Sequence, residues 1–243
     1  MPLPFHPMTS GRLAAAGSAY LAVLLAVDHF ASFHEQLLLG VLTWAVLLVV
    51  LPLFEPERRA QALVVVAAAT CGEVTGAIVW GVYSYRLHNL PLFIPPAHGL
   101  VYLTGLSLSR TPLARSHATL LVAAAGSIAT IWALAGLTVL PRKDVAGAAG
   151  VPLLLVFLWR SRSRTVYAGV FLVVAALELY GTSIGTWHWA RKLPGLGIPD
   201  GNPPSGVASG YVWFDVVALL LAPRLLVLAR SSRTRLPRQR IGR

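Results

Sequence analysis

The chain has 243 residues, of which 56% are hydrophobic and 12% charged, with a mean hydropathy of +0.68. That is too apolar for an ordinary soluble domain of this length, and a single cysteine, Cys71, excludes an intrachain disulfide and a cysteine-based zinc cluster. The formal net charge of +11 raises nucleic acid as a partner, but the distribution of the charge along the chain argues against it.

A hydrocarbon core of about 30 Å takes roughly 20 apolar residues per crossing. Runs of this kind lie at about 11 to 30, 36 to 54, 60 to 83, 91 to 109, 116 to 140, 145 to 160, 165 to 189 and 207 to 229. They predict an all-α, polytopic membrane helix bundle of about eight transmembrane helices. The sixth run is short and the fourth contains Pro95 and Pro96, so seven crossings and a re-entrant segment are the alternative. Arg12 before the first run has the look of a signal peptide. Asp28, His29 and His34 follow it without a small-residue cleavage site, and it reads as the first crossing.

Eight crossings with the amino terminus inside place 15 of the 20 Lys and Arg residues on the cytoplasmic side. These are Arg12, Arg58, Arg59, Arg110, Arg115, Arg160, Arg162, Arg164 and the arginines of the tail from Arg224 to Arg243; Arg86, Arg142, Lys143, Arg191 and Lys192 fall outside. The excess follows the positive-inside rule, so both termini are expected in the cytoplasm of a cell-membrane protein. The tail, residues 231–243, then reads as a topology signal and an anionic-lipid contact rather than a nucleic-acid arm.

Pro52 and the link EPERR mark the turn between the second and third runs, and the plan restarts near Pro112. This divides the single membrane domain into half-repeats, 1–110 and 111–230, each of four crossings and therefore parallel. One register matches Glu73, Gly76, Trp80 and Tyr83 to Glu178, Gly181, Gly185 and His188. A second, displaced by one residue, matches Gly81, Tyr83 and Tyr85 to Gly185, Trp187 and Trp189. The two conflict if either holds throughout. The bland alternative is that small residues and interfacial aromatics recur in any membrane helix.

Of the nine acids, Asp28, Glu35, Asp144 and Asp200 belong to the outer side and Glu55 and Glu57 to the inner side, which leaves Glu73, Glu178 and Asp215 inside apolar runs. Asp at the bilayer centre costs about 2.5 to 3.5 kcal/mol on the insertion scale. No Lys or Arg lies at comparable depth, so these acids must be neutral, share protons, or bond to His, Tyr, amide or water groups. A neutral Glu that merely joins helices is the competing structural reading. His98, about seven residues into the fourth run, could exchange a proton with such an acid.

No HxxxH or HExxH spacing relates His29, His34, His88 and His188, so no metal or haem site is expected. Trp80, Tyr83, Tyr85, Trp187, Trp189, Tyr211 and Trp213 gather toward the outer face. They form either an interfacial belt or a wall of π faces around a developing cation. The loops NLPLFIPPAHG and LPGLGIPDGNPPSG can enter a membrane only where protein or water shields their backbone.

An intramembrane Glu, a following Gly, WGVYSY and a proline-bearing segment, Glu73 to Gly99, resemble the integral-membrane carotenoid biosynthesis proteins that include carotenoid hydratases. The resemblance implies acid-catalysed hydration or cyclisation of an isoprenoid without a redox cofactor. It carries over to Glu73, Gly76, Gly81, Tyr83 and Tyr85; the GNPPSG loop and Asp215 lie outside it. The expected function is acid–base chemistry on an isoprenoid or other lipid, with Glu73, Glu178, Asp215 and His98 catalytic. Trp80, Tyr83, Tyr85, Tyr102, Trp187, His188 and Tyr211 would bind substrate. A proton-coupled carrier is the alternative. Partners are membrane lipid and the lipid substrate, with no cofactor.

Overall fold

The computed structural model describes residues 9–235, with side chains to residue 228. The helices are α1 (Ser10–Phe30), α2 (Phe33–Val50), α3 (Pro56–Glu73), α4 (Ile94–Ser109), α5 (Pro112–Ser116), α6 (Ala118–Thr138), α7 (Val145–Arg160), α8 (Arg164–Ile184) and α9 (Val207–Arg235). Two short strands, β1 (Tyr83–Tyr85) and β2 (Trp187–Trp189), are the remaining regular elements of note. The predicted tail lies outside the described residues from 236 onward, and its first residues continue α9.

The result is an all-α bundle, with a long helix on each of the eight apolar runs. Six of these, in α1, α2, α3, α6, α8 and α9, are long and apolar enough to cross a membrane. Helices α4 and α7 have 16 residues each. Large apolar side chains face outward all around the bundle, among them Val49 (72% exposed), Leu38 (68%) and Ile131 (65%). Polar groups such as Gln36, Thr43 and Gln61 are buried at 1% or less. This distribution suits hydrocarbon rather than water as the surrounding medium.

Local chemistry explains the boundaries. Thr9 and Ser32 cap α1 and α2, the latter in a capping box with Glu35. Pro95 and Pro96 do not break the fourth run: they occupy the first turn of α4, where the missing N–H has no intrahelical partner to lose. Helix α4 is the most enclosed element, buried along nearly its whole length, and Gly105 and Gly169 let it approach α8 closely enough that a Cβ on either would meet backbone. Helix α4 lies at the centre, packed against α1, α3 and α8, and α3 lies in turn mainly against α9.

Helix α3 continues into a wide π turn, Val74–Trp80. The competing sequence registers are reconciled here. Glu73 and Gly76 correspond to Glu178 and Gly181, but the π turn holds one residue more than the matching α-helical end of α8. Beyond it, Gly81 and Gly185 both close their helices in the left-handed region, at φ 74° and 78°. The one-residue offset between the two registers therefore falls within the π turn. The strands that follow pair antiparallel, Tyr83 with Trp189, Ser84 with His188 and Tyr85 with Trp187.

Arginine stitches this cap to the helix ends. Arg86 Nη2 donates to the Asp28 carbonyl at 2.5 Å and to that of Ala31. On the other side Arg142 donates from Nε to the Asp200 carbonyl at 2.6 Å, and from Nη2 to those of Trp189 (2.9 Å) and Ala190. The long loops 81–93 and 185–206 thus form a tied cover over one end of the bundle.

Candidate functional site: an apolar cavity with two glutamates

Beneath the strand pair lies a cavity of about 270 Å³, lined by residues of α1, α3, α4, α8, α9 and the strands. Its walls are mainly aliphatic, supplied by residues such as Leu21, Leu25, Val101 and Val174. Its polar groups gather under the strands, where Glu73 from α3 and Glu178 from α8 both face it. The acids are 9% and 7% exposed.

Each glutamate carries aromatic donors from the strand next to it in the chain. Glu73 Oε2 accepts from the Tyr83 hydroxyl at 2.7 Å and the Tyr85 hydroxyl at 2.6 Å. Glu178 Oε2 accepts from Trp187 Nε1 at 3.0 Å and Trp189 Nε1 at 3.2 Å. Glycine makes room for both arrangements: a Cβ on Gly76 would press on the Tyr83 ring at 2.9 Å, and one on Gly181 would collide with the Trp187 ring. Strand alternation sends residues two apart to the same face, so two rings from each strand turn inward over the acids.

The chemistry of the two acids differs. His98 Nε2 lies 3.3 Å from Glu73 Oε1. Its Nδ1 is 2.9 Å from the Ile94 carbonyl oxygen, which can only accept, so Nδ1 carries a proton and Nε2 is the exchangeable position. The Tyr211 hydroxyl lies 3.0 Å from Nε2, with its ring stacked on the imidazole at 5.4 Å. Glu73 and His98 together can accept or relay one proton. Glu178 has only indole donors, both on Oε2, which leaves Oε1 clear of them. Indole N–H groups cannot accept a proton from it.

Of the eleven residues expected at the site, seven border this cavity: Glu73, Tyr83, Tyr85, His98, Glu178, Trp187 and Tyr211. Four do not. Asp215 is 2% exposed on α9, one helical turn beyond Tyr211 and outside the lining. Tyr102 lies one turn past His98 and donates to Gln61 Oε1 at 2.7 Å. Trp80, 44% exposed, donates from Nε1 to the Pro194 carbonyl at 2.9 Å. His188 points outward between the two inward tryptophans.

The His188 expectation came from continuing helical spacing past Gly185, where the chain has already become a strand. Trp189 lines the cavity in its place, and the alternation W-H-W after a glycine was the available signal. Phe93 and Phe214, also in the lining, had no sequence signal that set them apart from other apolar positions. Comparison of the chain with family models, with curated proteins and with solved structures finds no match to any of them.

Proposed function

We propose that the protein is an integral-membrane enzyme that performs acid–base chemistry, of the hydratase or cyclase type, on an isoprenoid or similar unsaturated lipid. The supporting observation is the shared apolar cavity lined by two glutamates with different hydrogen-bond partners. Glu178 is the proton donor: its O–H bond breaks as a C–H bond forms at one alkene carbon, and positive charge develops at the other. The faces of Tyr83, Tyr85, Trp187 and Trp189 stabilise that charge electrostatically. Glu73 with His98 then removes a proton from the neighbouring carbon, or takes one from a water whose oxygen adds to the cation. Tyr211 holds the imidazole in position. The aliphatic wall accommodates the unreactive part of the chain.

In this reading the eight long helices are eight crossings arranged as two parallel halves, with both termini in the cytoplasm of a cell-membrane protein and the strand pair on the outer side. The matched acids, glycines and strands support the duplication. The placement of basic residues supports the orientation. A second reading, a proton-coupled carrier for a small or lipidic solute, draws on the position of both acids between the two halves.

Lipid profiling distinguishes them. A host lacking the gene and complemented with wild type, Glu178→Gln or Glu73→Gln should accumulate an unsaturated precursor unless the wild-type gene is present. Purified protein should convert that precursor in detergent. No lipid change, together with solute movement only across sealed vesicles, would favour the carrier.

A further inference from the structure

At the opposite end of the bundle a second cavity, of about 330 Å³, is bounded by Arg58 near the start of α3, Arg110 at the end of α4, Arg115 on α5, and the first residues of α6 and α8. From Arg58 to Gly72, which lines the first cavity, α3 rises roughly 20 Å at about 1.5 Å per residue, so the two cavities are separate. None of the described residues that bound the second cavity is acidic.

Three guanidinium groups converging on one space repel each other. Burial pushes the Arg110 guanidinium below its usual range, and the positive charge of Arg58 adds to this, as does that of Arg115; Glu55, outside the lining, acts in the opposite direction. Arg58 donates from Nη1 to Gln61 Oε1 at 2.9 Å, but its Nε is buried with no acceptor. Two long helices also begin here without a side-chain cap: α6 after His117 and α8 after Ser163, with Ala118, Thr165 and Val166 at the cavity edge. Uncapped helix starts present N–H groups and partial positive charge to a negative ligand.

We propose that this cavity binds a phosphate group, carried by the headgroup of an anionic membrane lipid or as free phosphate. The polar lining, the excess of donors over acceptors and the planar guanidinium groups match a tetrahedral oxyanion that accepts several hydrogen bonds at once. The lipid source is favoured by Leu113 and Leu120, 72% and 65% exposed, which flank Arg115 and Ala118 in the chain and supply apolar surface for acyl chains. Arginines that simply reach toward the membrane surface would instead bind anionic lipid without distinguishing cavity positions from others at the same end. The inference is independent of the chemistry proposed for the first cavity.

Full-length protein in phosphatidylcholine nanodiscs doped with phosphatidic acid tests the lipid source, with retained lipid counted by native mass spectrometry. Radiolabelled inorganic phosphate added to the detergent-solubilised protein tests the free form. Arg110→Gln and Arg115→Gln should each weaken the bound form by about tenfold, the scale of one lost charge-assisted contact. Arg160→Gln, on a residue outside the cavity lining, should behave as wild type. Arg115 is exposed, so its variant gives the answer if Arg110→Gln fails to fold. Binding of neither form, or equal weakening by Arg160→Gln, would overturn the proposal.

Discussion

Replacing Glu73 with glutamine separates the proton chemistry of the site from its architecture. Glutamine has nearly the same shape, and its carbonyl oxygen can still accept from the Tyr83 and Tyr85 hydroxyls, now 2.7 and 2.6 Å from Glu73 Oε2. Its amide nitrogen can donate to His98 Nε2, because the proton on Nδ1 is held toward the Ile94 carbonyl oxygen. All three contacts therefore survive in neutral form. Charge-assisted bonds are roughly twice as strong as neutral ones, so the loss should be about 1 kcal/mol per contact and the fold should persist. What disappears is the ability to take a proton, which for a positioned general base is a factor of about 10² to 10⁴ in rate. Glu73→Ala, by contrast, leaves the buried Tyr83 and Tyr85 hydroxyls without their acceptor, at about 1 to 3 kcal/mol each, and should be markedly less stable than Glu73→Gln. The assay is turnover of the accumulated lipid in detergent, beside thermal unfolding of the same samples. Glu73→Gln turning over within twofold of wild type while remaining folded would refute the role given to the acid.

Tyr211→Phe keeps the ring stacked on His98 but removes the hydroxyl 3.0 Å from Nε2; turnover should fall about tenfold, with an altered pH–rate profile and little change in thermal stability. Gly81→Ala meets no atom within 4 Å, so its cost is the left-handed backbone alone, about 1 to 2 kcal/mol by thermal unfolding, and activity of the folded fraction should be retained. Gly181→Ala drives a Cβ into the Trp187 ring and should cost about 1 to 3 kcal/mol, with loss of turnover as the indole is displaced from Glu178. In the loop between β2 and α9 the Asp200 carboxyl is pushed up to about 7 by burial, then by neighbouring Asp144, against the opposing charge of Arg142 and a backbone hydrogen bond from Gly201. The folded state thus holds a proton that the unfolded chain releases nearer the ordinary aspartate value of 3.8. Stability should fall as pH rises from about 4 through about 7, and Asp200→Asn should flatten that slope in unfolding curves recorded across the range.

Much of the helical plan was legible because hydropathy is a local property. The run read as 145 to 160 is α7, Val145–Arg160, and the first run, 11 to 30, differs from α1 by one residue. The acids at Glu73 and Glu178 stood out because a carboxyl group in hydrocarbon is costly wherever the chain folds. The reading went astray where spacing was extended past a change of backbone geometry. His188 and Trp80 were placed on a continued helical face, although the chain had become a strand in one case and a π turn in the other. The conflict between two registers contained the clue, since one inserted residue cannot be absorbed in a regular α-helix without rotating everything beyond it.

Amino-acid order alone therefore determined the membrane class, the positions of the long helices and the two acids that need partners, each being a cost or a periodicity within about 20 residues. The tertiary structure decided which partners those acids receive, that Asp215 and Tyr102 lie outside their cavity, and that Arg58, Arg110 and Arg115 meet at the other end. Those outcomes depend on strands and helix ends brought together from opposite halves of the chain, where no local pattern constrains distance or direction.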